Sequence, residues 1–206
     1  MVSVGTITRV EVQAGKEEML ESALQQVFSR VQQEPYTPLW VAVRRSTSSF
    51  SVLDAFSNEA DRLRHLSDEQ HRIRIERVRS LLVQPHTTEM LQILGAKLPA
   101  AGAQKAVRVG FLARFEARPG KEAEIEPGLK GTLAAVQQLP ATTAWFGFRL
   151  GPSIFGTLDL FLDEAGRLAH RQARWSRIQE IASQLFVEGS LVIEEVDVLL
   201  AKLPEC

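Results

Sequence analysis

The tetrapeptide Ala96-Lys97-Leu98-Pro99 recurs as Ala201-Lys202-Leu203-Pro204, 105 positions later. At this offset residues 2–99 align with residues 107–204 without a gap, and 35 positions are identical. Chance would give about six or seven identities at average amino-acid usage. A period of this length is the size of a domain, whereas solenoid repeats are shorter. The chain therefore encodes one fold twice.

Composition and charge place the chain among ordinary globular proteins. Of its 206 residues, 45% are hydrophobic and 24% are charged, and the formal net charge is -1. A nucleic-acid partner is not expected, because phosphate binding needs a clustered basic surface. The densest basic stretch, residues 72–79, is interrupted by apolar and acidic residues and is typical of a solvated helix face.

The sequence contains no pattern for membrane insertion, for secretion or for a metal cluster. No apolar run reaches the roughly 18 residues that span a bilayer, and the first residues lead into a strand pattern rather than a signal peptide. A cytoplasmic location and no membrane partner are therefore expected. The single cysteine, Cys206, excludes an intramolecular disulfide and a Cys/His metal cluster, so no metal site is predicted.

Each copy has the pattern strand, helix, two strands, helix, strand. Residues 2–12 alternate as a strand does, and residues 16–33 carry apolar side chains at helical spacing. In the second copy Pro127, Gly128 and Gly131 predict a kink or a late start of the equivalent helix. The second helix is expected to begin at the N-caps Asn58 and Asp163, with a break near residue 67 in the first copy. The last strands are predicted at residues 87–94 and 191–200.

The hairpin between the second and third strands determines which of their side chains share a face. The loop Ser46-Thr47-Ser48 has an odd number of residues, which keeps the apolar positions of both strands on one side. This register places Trp40 opposite Asp54 and Arg44 opposite Phe50.

The element order predicts an α+β fold in which each copy is a split βαβ, or ferredoxin-like, unit. Its two helices cover one face of a four-stranded antiparallel sheet. On the predicted register the uncovered face carries Ile7, Arg9, Glu11, Trp40, Ala42, Arg44, Phe50, Val52, Asp54 and Phe56. Aromatic rings are costly in water and charges are costly in a dry core. The two sheets are therefore expected to pack face to face as an intramolecular barrel, with a cavity between them. The predicted domains are residues 1–99 and 106–206, joined by a linker at residues 100–105.

One segment resembles a known family. It is Thr143-Ala144-Trp145-Phe146-Gly147-Phe148-Arg149-Leu150-Gly151-Pro152-Ser153, which continues through Phe155-Gly156 to residues 163–170. The closing residues 193–199 are also similar. Through these residues the chain resembles the antibiotic biosynthesis monooxygenase family of the dimeric α/β barrel superfamily, in a tandem fused form. The resemblance extends over essentially the whole chain.

The resemblance implies oxygenation of electron-rich aromatics, such as quinols or anthrones, without flavin, metal or haem. The expected partners are thus a small aromatic substrate and molecular oxygen, and no cofactor is expected. Haem-degrading relatives use a histidine late in the second helix, where this chain has Ile75 and Glu180. They also use an asparagine in the first strand, where it has Thr8 and Ala113. The haem-degrading branch is therefore disfavoured.

The chemistry that the family implies needs a base, a cation and aromatic walls. His65 and His170 occupy equivalent positions in the second helix and are the candidate bases. The alternative is a pair of helix-surface histidines without a role. His71 and His86 have no histidine counterpart and are expected at the surface.

Aromatic and charged residues on the predicted inner face are the candidates for substrate binding. They are Trp40, Phe50, Phe56, Arg9, Arg44 and Asp54 in the first copy, and Trp145, Phe155, Phe161, Arg114, Arg149 and Asp159 in the second. The expected register pairs Arg9 with Asp54 and Arg114 with Asp159. Core packing of the rings and a structural ion pair are the alternatives.

Three functions remain open at this point. The first is a cofactor-independent monooxygenase, the second is a small-molecule-binding or stress-response barrel without catalysis, and the third is an interaction protein with a filled interior. An open pocket beside a histidine favours catalysis, an open pocket without a base favours binding, and a closed interior favours the third function.

Overall fold

The computed structural model describes residues 2–100, 102–103 and 106–204. The linker residues 101, 104 and 105, the terminal Cys206 and the side chain of His71 lie outside the described residues. The first repeat contains β1 (Val4–Glu11), α1 (Glu17–Val31), β2 (Leu39–Arg44), β3 (Ser49–Phe56), α2 (Glu59–Ser67), α3 (Glu69–Arg79) and β4 (Thr87–Lys97). The second contains β5 (Val109–Glu116), α4 (Glu122–Gln137), β6 (Ala144–Arg149), β7 (Ile154–Phe161), α5 (Glu164–Leu185) and β8 (Val192–Lys202). The predicted order of elements is confirmed.

The described residues form two compact units. Unit 1 comprises residues 2–91 and 197–204, and unit 2 comprises residues 92–196. The antiparallel sheet of unit 1 contains β1, β3, β2 and the end of β8, and that of unit 2 contains β5, β7, β6 and the end of β4. Each repeat thus supplies the end of its last strand to the other unit. The fold is the predicted one, an α+β fold of the α/β barrel class built from ferredoxin-like units in tandem.

The register of the second and third strands is the predicted one. Trp40 pairs with Asp54 and Arg44 pairs with Phe50, and in unit 2 Trp145 pairs with Asp159. The register predicted from a hairpin loop with an odd number of residues is therefore confirmed.

The first strand of each repeat differs from the prediction by one residue. Asp54 pairs with Thr6, whereas Arg9 pairs with Ser51 and lies on the opposite face of the sheet. Both predicted arginine–aspartate pairs, Arg9 with Asp54 and Arg114 with Asp159, are consequently wrong. Because side chains alternate along a strand, a shift of one residue moves each of them to the other face.

The helices cover the face that was expected to be uncovered. Phe28 of α1 packs against Trp40 with 5.7 Å between ring centroids, and Leu20 and Leu24 of the same helix belong to the core cluster of Trp40 and Phe50. The opposite face, which carries Val41, Val43 and Leu53, is buried as well. Because both faces are apolar, alternation alone does not show which of them the helices cover.

The helices begin where their caps predict. Asn58 accepts a hydrogen bond of 3.0 Å from the backbone N–H of Asp61, and Asp163 accepts one of 2.9 Å from that of Gly166. The predicted break occurs at Asp68, between α2 and α3, whereas α5 is continuous. The late start expected for α4 is wrong, since this helix begins at Glu122 and contains Pro127.

No helix in the described ranges is both long and apolar enough to cross a membrane.

Candidate active site

Unit 2 contains a cavity of about 520 Å³ between its sheet and its helices. This volume lies in the usual range for small-molecule sites. Aromatic and aliphatic side chains form most of the wall, and a few polar groups converge within it. The lining includes Phe111, Phe115, Gly128, Thr132, Trp145, Thr157, Asp159, His170, Arg171, Arg174, Trp175 and Glu195.

Asp159 of β7 and His170 of α5 meet in this wall. The Nε2 atom of His170 lies 3.4 Å from Oδ1 of Asp159, and Oδ2 of Asp159 accepts a hydrogen bond of 3.0 Å from Thr157. On the other side of the ring, Nδ1 of His170 is 2.8 Å from Oγ1 of Thr142. The exposed fractions of the two side chains are only 6% for His170 and 8% for Asp159. These contacts hold the imidazole and the carboxyl in fixed orientations.

Burial displaces the pKa values of this pair in opposite directions. It raises the pKa of Asp159 to about 7, although the hydrogen bond from Thr157 and the charge of Arg174 oppose the change. Burial, together with the charges of Arg174 and Lys97, lowers the pKa of His170 to about 4. At neutral pH a neutral imidazole therefore stands beside a carboxyl poised between its protonated and ionised forms. A pKa near the working pH suits a general base.

Arg174 brings a positive charge into the same wall. It lies one helical turn beyond His170 on α5, and its Nη2 atom donates to Oγ1 of Thr132 over 3.4 Å. Burial lowers the pKa of Arg174 despite the charge of Asp159, but a guanidinium stays charged at neutral pH. A cation in an apolar cavity can stabilise a developing oxyanion.

Charged and aromatic side chains also meet where the cavity reaches the surface. Arg171 forms an ion pair with Glu195 and lies 5.0 Å from the ring centroid of Phe111. Trp175 lines the cavity and is 44% exposed. Solvent and small molecules can therefore approach the cavity beside Trp175.

Gly128 of α4 lines the cavity and leaves space open there. A β-carbon added to Gly128 would meet no atom within 4 Å. The equivalent residue of α1 is Ala23, and the Phe28 ring of the same helix packs onto Trp40. The Phe28 ring thus occupies space next to Trp40 in unit 1, whereas the equivalent Trp145 lines the open cavity of unit 2.

His65 of unit 1 has different neighbours from His170. Its Nδ1 atom lies 3.1 Å from Oε2 of Glu34 and 3.3 Å from Oγ1 of Thr37. Thr37 donates to the same carboxylate oxygen over 2.9 Å, and the His65 ring packs against Phe56 with 5.3 Å between centroids. A buried acid absent from unit 2 therefore contacts the histidine of unit 1.

Unit 1 has a recess of its own with a polar wall. Asp54 lines it and accepts a hydrogen bond of 3.0 Å from Thr6. Burial raises the pKa of Asp54 to about 6, against the effects of the His65 charge and of the Thr6 hydrogen bond. Thr8, Glu69, Arg72, His86 and Thr88 also belong to the wall, and neither His65 nor Trp40 is among its lining residues.

The structure brings together two of the six residues predicted for substrate binding in the second repeat, and with them the candidate base. Trp145, Asp159 and His170 line the unit 2 cavity. Phe155 and Phe161 pack behind the wall, where Phe155 stacks on Phe115 at 6.0 Å and Phe161 contacts the ring of His170 at 5.1 Å. The cavity adjoins the helix-covered face, so the expected position of this face against a second sheet is wrong.

The four predicted arginines make other contacts or face the other way. Arg149 donates to the carbonyls of its own hairpin, to Gly151 over 2.9 Å and to Pro152 over 2.6 Å. The ion-pair partner of Arg44 is Glu21 and that of Arg9 is Glu89, while Arg114 pairs in register with Gly156 on the opposite face. None of the four is among the residues that line the unit 2 cavity or the unit 1 recess.

Reasoning from residues shared by the two repeats misses Arg174. Its equivalent in the first repeat is Glu69, so a comparison of the copies gives no reason to select it. The available signal is the spacing of four residues from His170, which places both side chains on one face of a helix.

Metal binding by side chains alone has no obvious place in the part of the chain that the structure describes. No group of three or more His, Cys, Asp or Glu side chains converges there.

Fold and site together define the class of protein to which the chain is similar. The chain shares the fold of two solved structures named as proposed monooxygenases and of an anthrone oxidase-like protein. No family model and no curated protein matches the sequence.

Among solved structures, a proposed monooxygenase of Fusobacterium nucleatum matches 98% of this chain and 94% of its own, with a TM-score of 0.85 and 13% identity. A proposed monooxygenase of Lactobacillus acidophilus matches 100% of this chain and 98% of its own, with a TM-score of 0.83 and 10% identity. An anthrone oxidase-like protein matches 99% of this chain and 96% of its own, with a TM-score of 0.63 and 11% identity. At these identities the similarity establishes the fold.

Proposed function

We propose that the chain is a monooxygenase that oxidises a small electron-rich aromatic molecule, such as a quinol or an anthrone, in the cavity of unit 2 without a cofactor. The observation that carries the proposal is the buried Asp159–His170 pair in an aromatic wall, with Arg174 beside it. The names of the three similar structures support oxygenase chemistry, since two are proposed monooxygenases and one is anthrone oxidase-like.

The first step is removal of a proton from the substrate. A phenol or enol hydroxyl gives its proton to the Asp159–His170 pair, which has an accepting form near neutral pH. The resulting anion is electron-rich, and Arg174 stabilises the charge on its oxygen. The apolar walls keep bulk water away from the anion.

The remaining steps need only the substrate and oxygen. The anion passes one electron to O₂, and the carbon radical and superoxide combine to form a C–O bond. The peroxide takes up the proton. Loss of the C–H proton and cleavage of the O–O bond then leave a carbonyl and release water. One oxygen atom enters the product and the other becomes water, so no external reductant is required.

Oxygen uptake by metal-free protein tests this proposal. Protein treated with a chelator and freed of flavin is mixed with a panel of hydroquinones and anthrones under ¹⁸O₂. We expect equal consumption of O₂ and substrate, with one ¹⁸O atom in the product. Binding of these compounds without oxygen uptake would support the non-catalytic binding protein instead, and uptake only after a metal or flavin is added would contradict the cofactor-free reaction.

A further inference from the structure

The recess of unit 1 is the counterpart of part of the unit 2 cavity. Its volume is about 640 Å³. At the offset between the repeats, residues that line the recess correspond to residues that line the cavity: Thr6 to Phe111, Thr8 to Ala113, Asp54 to Asp159, Glu69 to Arg174 and Thr88 to Ile193. The same place in the fold therefore has a different chemical lining in the two units.

The differences make the wall of the recess polar. Threonines stand where the cavity has a phenylalanine, an alanine and an isoleucine, and the Oγ1 atoms of Thr8 and Thr88 lie 2.9 Å apart. Among these positions only the aspartate is unchanged. An aromatic ligand gains most from apolar walls, whereas hydroxyl-lined walls can donate and accept hydrogen bonds. The recess therefore suits a ligand with hydroxyl groups of its own.

The charges of the recess favour a cation. Glu69 replaces the arginine of the cavity wall, so two acids, Asp54 and Glu69, line the recess together with Arg72. Glu69 lies 3.9 Å from Arg72, and both side chains are largely exposed. An exposed pair of this kind contributes little, so the buried Asp54 is the charge that a ligand meets.

Asp54 has a hydrogen-bonding capacity that the described residues leave unused. Its exposed fraction is only 4%, and Oδ2 accepts the hydrogen bond from Thr6. Oδ1 is buried and has no hydrogen-bond partner within the described ranges, whereas the equivalent oxygen of Asp159 lies 3.4 Å from Nε2 of His170. An aspartate rotates easily about its last torsion, so a donor in the recess can reach this carboxyl group.

The protonation state of Asp54 increases the effect of this unpaired oxygen. Burial raises the pKa of Asp54 to about 6, which leaves the carboxyl mostly ionised at neutral pH. A buried carboxylate without its full set of hydrogen bonds costs free energy. A cationic donor would recover this free energy on binding.

We propose that the recess of unit 1 is a second small-molecule site, which binds a polyhydroxylated amine in its protonated form. The ammonium group pairs with Asp54, and hydroxyl groups of the ligand bond to Thr8 and Thr88. This site is independent of the oxidation proposed for the unit 2 cavity.

Three probes of similar length test the chemistry of the ligand. Glucamine carries an ammonium group and a chain of hydroxyls, sorbitol has a further hydroxyl in place of the amine, and hexylamine has the amine without hydroxyls. Binding to the full-length chain at pH 7 is measured by calorimetry. We expect glucamine to bind about tenfold or more tightly than either of the others, because each lacks one set of partners in the recess. Absence of glucamine binding, or an equal affinity for sorbitol or hexylamine, would overturn the proposal.

Two asparagine variants locate the site. Asp54→Asn removes the charge but keeps an oxygen that can accept from Thr6, and it should weaken glucamine binding about tenfold or more. Asp159→Asn makes the equivalent change in unit 2 and should leave glucamine binding unchanged. Glucamine binding that persists in Asp54→Asn would overturn the proposal.

Amide chemical shifts of the wild-type chain provide a readout that needs no variant. Glucamine should shift the resonances of Thr8, Asp54 and Thr88 in unit 1. Changes confined to unit 2 would overturn the assignment of the site.

Discussion

At the scale of single residues, the proposed reaction depends on the pKa values that burial gives Asp159 and His170. Because burial raises the pKa of Asp159 to about 7, the accepting form of the pair becomes dominant above that pH. We expect kcat/KM for oxygen uptake to rise with pH and to level off above about 7. Asp159→Asn should lower it by about 10² to 10⁴-fold, whereas Asp54→Asn in unit 1 should not. Initial rates between pH 5 and 9 measure this, and a flat profile would contradict the assignment.

The same burial predicts a change in stability with pH. The pKa of Asp159 is higher in the folded chain than its ordinary value of 3.8, so the unfolded chain releases this proton first. The stability from this group is therefore lost as pH rises from about 4 to 7. His170, with its lowered pKa, acts in the opposite sense, and its contribution is lost as pH falls from 6.5 to about 4.

Asp159→Asn should consequently be more stable than the wild type at pH 8, because it buries no ionised carboxylate. The expected gain is about 1 to 4 kcal/mol, and it should shrink as pH falls towards 4. Urea denaturation at several pH values measures the difference. A variant less stable than the wild type at pH 8 would show that the buried carboxylate is stabilising, contrary to the raised pKa.

At the scale of secondary-structure elements, Gly128 links the stability of α4 to the volume of the cavity. Glycine inside a helix costs about 0.5 to 1 kcal/mol relative to alanine, and the added β-carbon meets no neighbour. Gly128→Ala should therefore raise the free energy of unfolding by about this amount, as measured by urea denaturation.

Gly128→Leu should weaken binding of a quinol about tenfold or more, because the leucine side chain would enter the cavity. Gly131→Leu is the control, since it lies on the same helix and does not line the cavity; equal binding by both leucine variants would contradict the placement of the ligand.

The elements also show which features a sequence can predict. Helical spacing and the caps Asn58 and Asp163 are local signals, and both gave helices that begin where expected. The hairpin register followed from loop length and the apolar pattern. The prediction of which side chains of β1 share a face with Asp54 was wrong, because both faces of this strand carry apolar and polar side chains. The prediction of which sheet face the helices cover was also wrong. Both faces are buried, so apolar residues do not alternate with polar ones in a way that would identify the covered face. Arg174 has no arginine equivalent in the first repeat, so its position in the cavity wall beside His170 becomes visible only in the structure.

At the scale of the whole chain, each unit is completed by the other repeat. Lys202 of the second repeat donates to the carbonyls of Val31 and Glu34 at the end of α1, each over 2.7 Å. Lys97 of the first repeat donates to Val136 and Leu139 at the end of α4, over 2.7 and 2.8 Å. A substitution in one repeat should therefore loosen a helix of the other.

Hydrogen exchange measures this effect. Lys202→Met should raise amide exchange in α1, and Lys97→Met should raise it in α4, because helix-end carbonyls lose a charged donor whose bonds contribute about 1.5 to 3 kcal/mol. Each variant serves as the control for the other. Faster amide exchange only in the helices of the substituted repeat would contradict the finding that the last strand of each repeat contributes to the other unit.

The whole chain is expected to work through one centre, in unit 2. Oxygen uptake by His170→Ala and His65→Ala, measured side by side with the best substrate of the panel, distinguishes one centre from two. We expect a loss of about 10² to 10⁴-fold for His170→Ala and a rate within about threefold of the wild type for folded His65→Ala. Equal losses in both variants, or a wild-type rate in His170→Ala, would show that unit 2 is not the single centre.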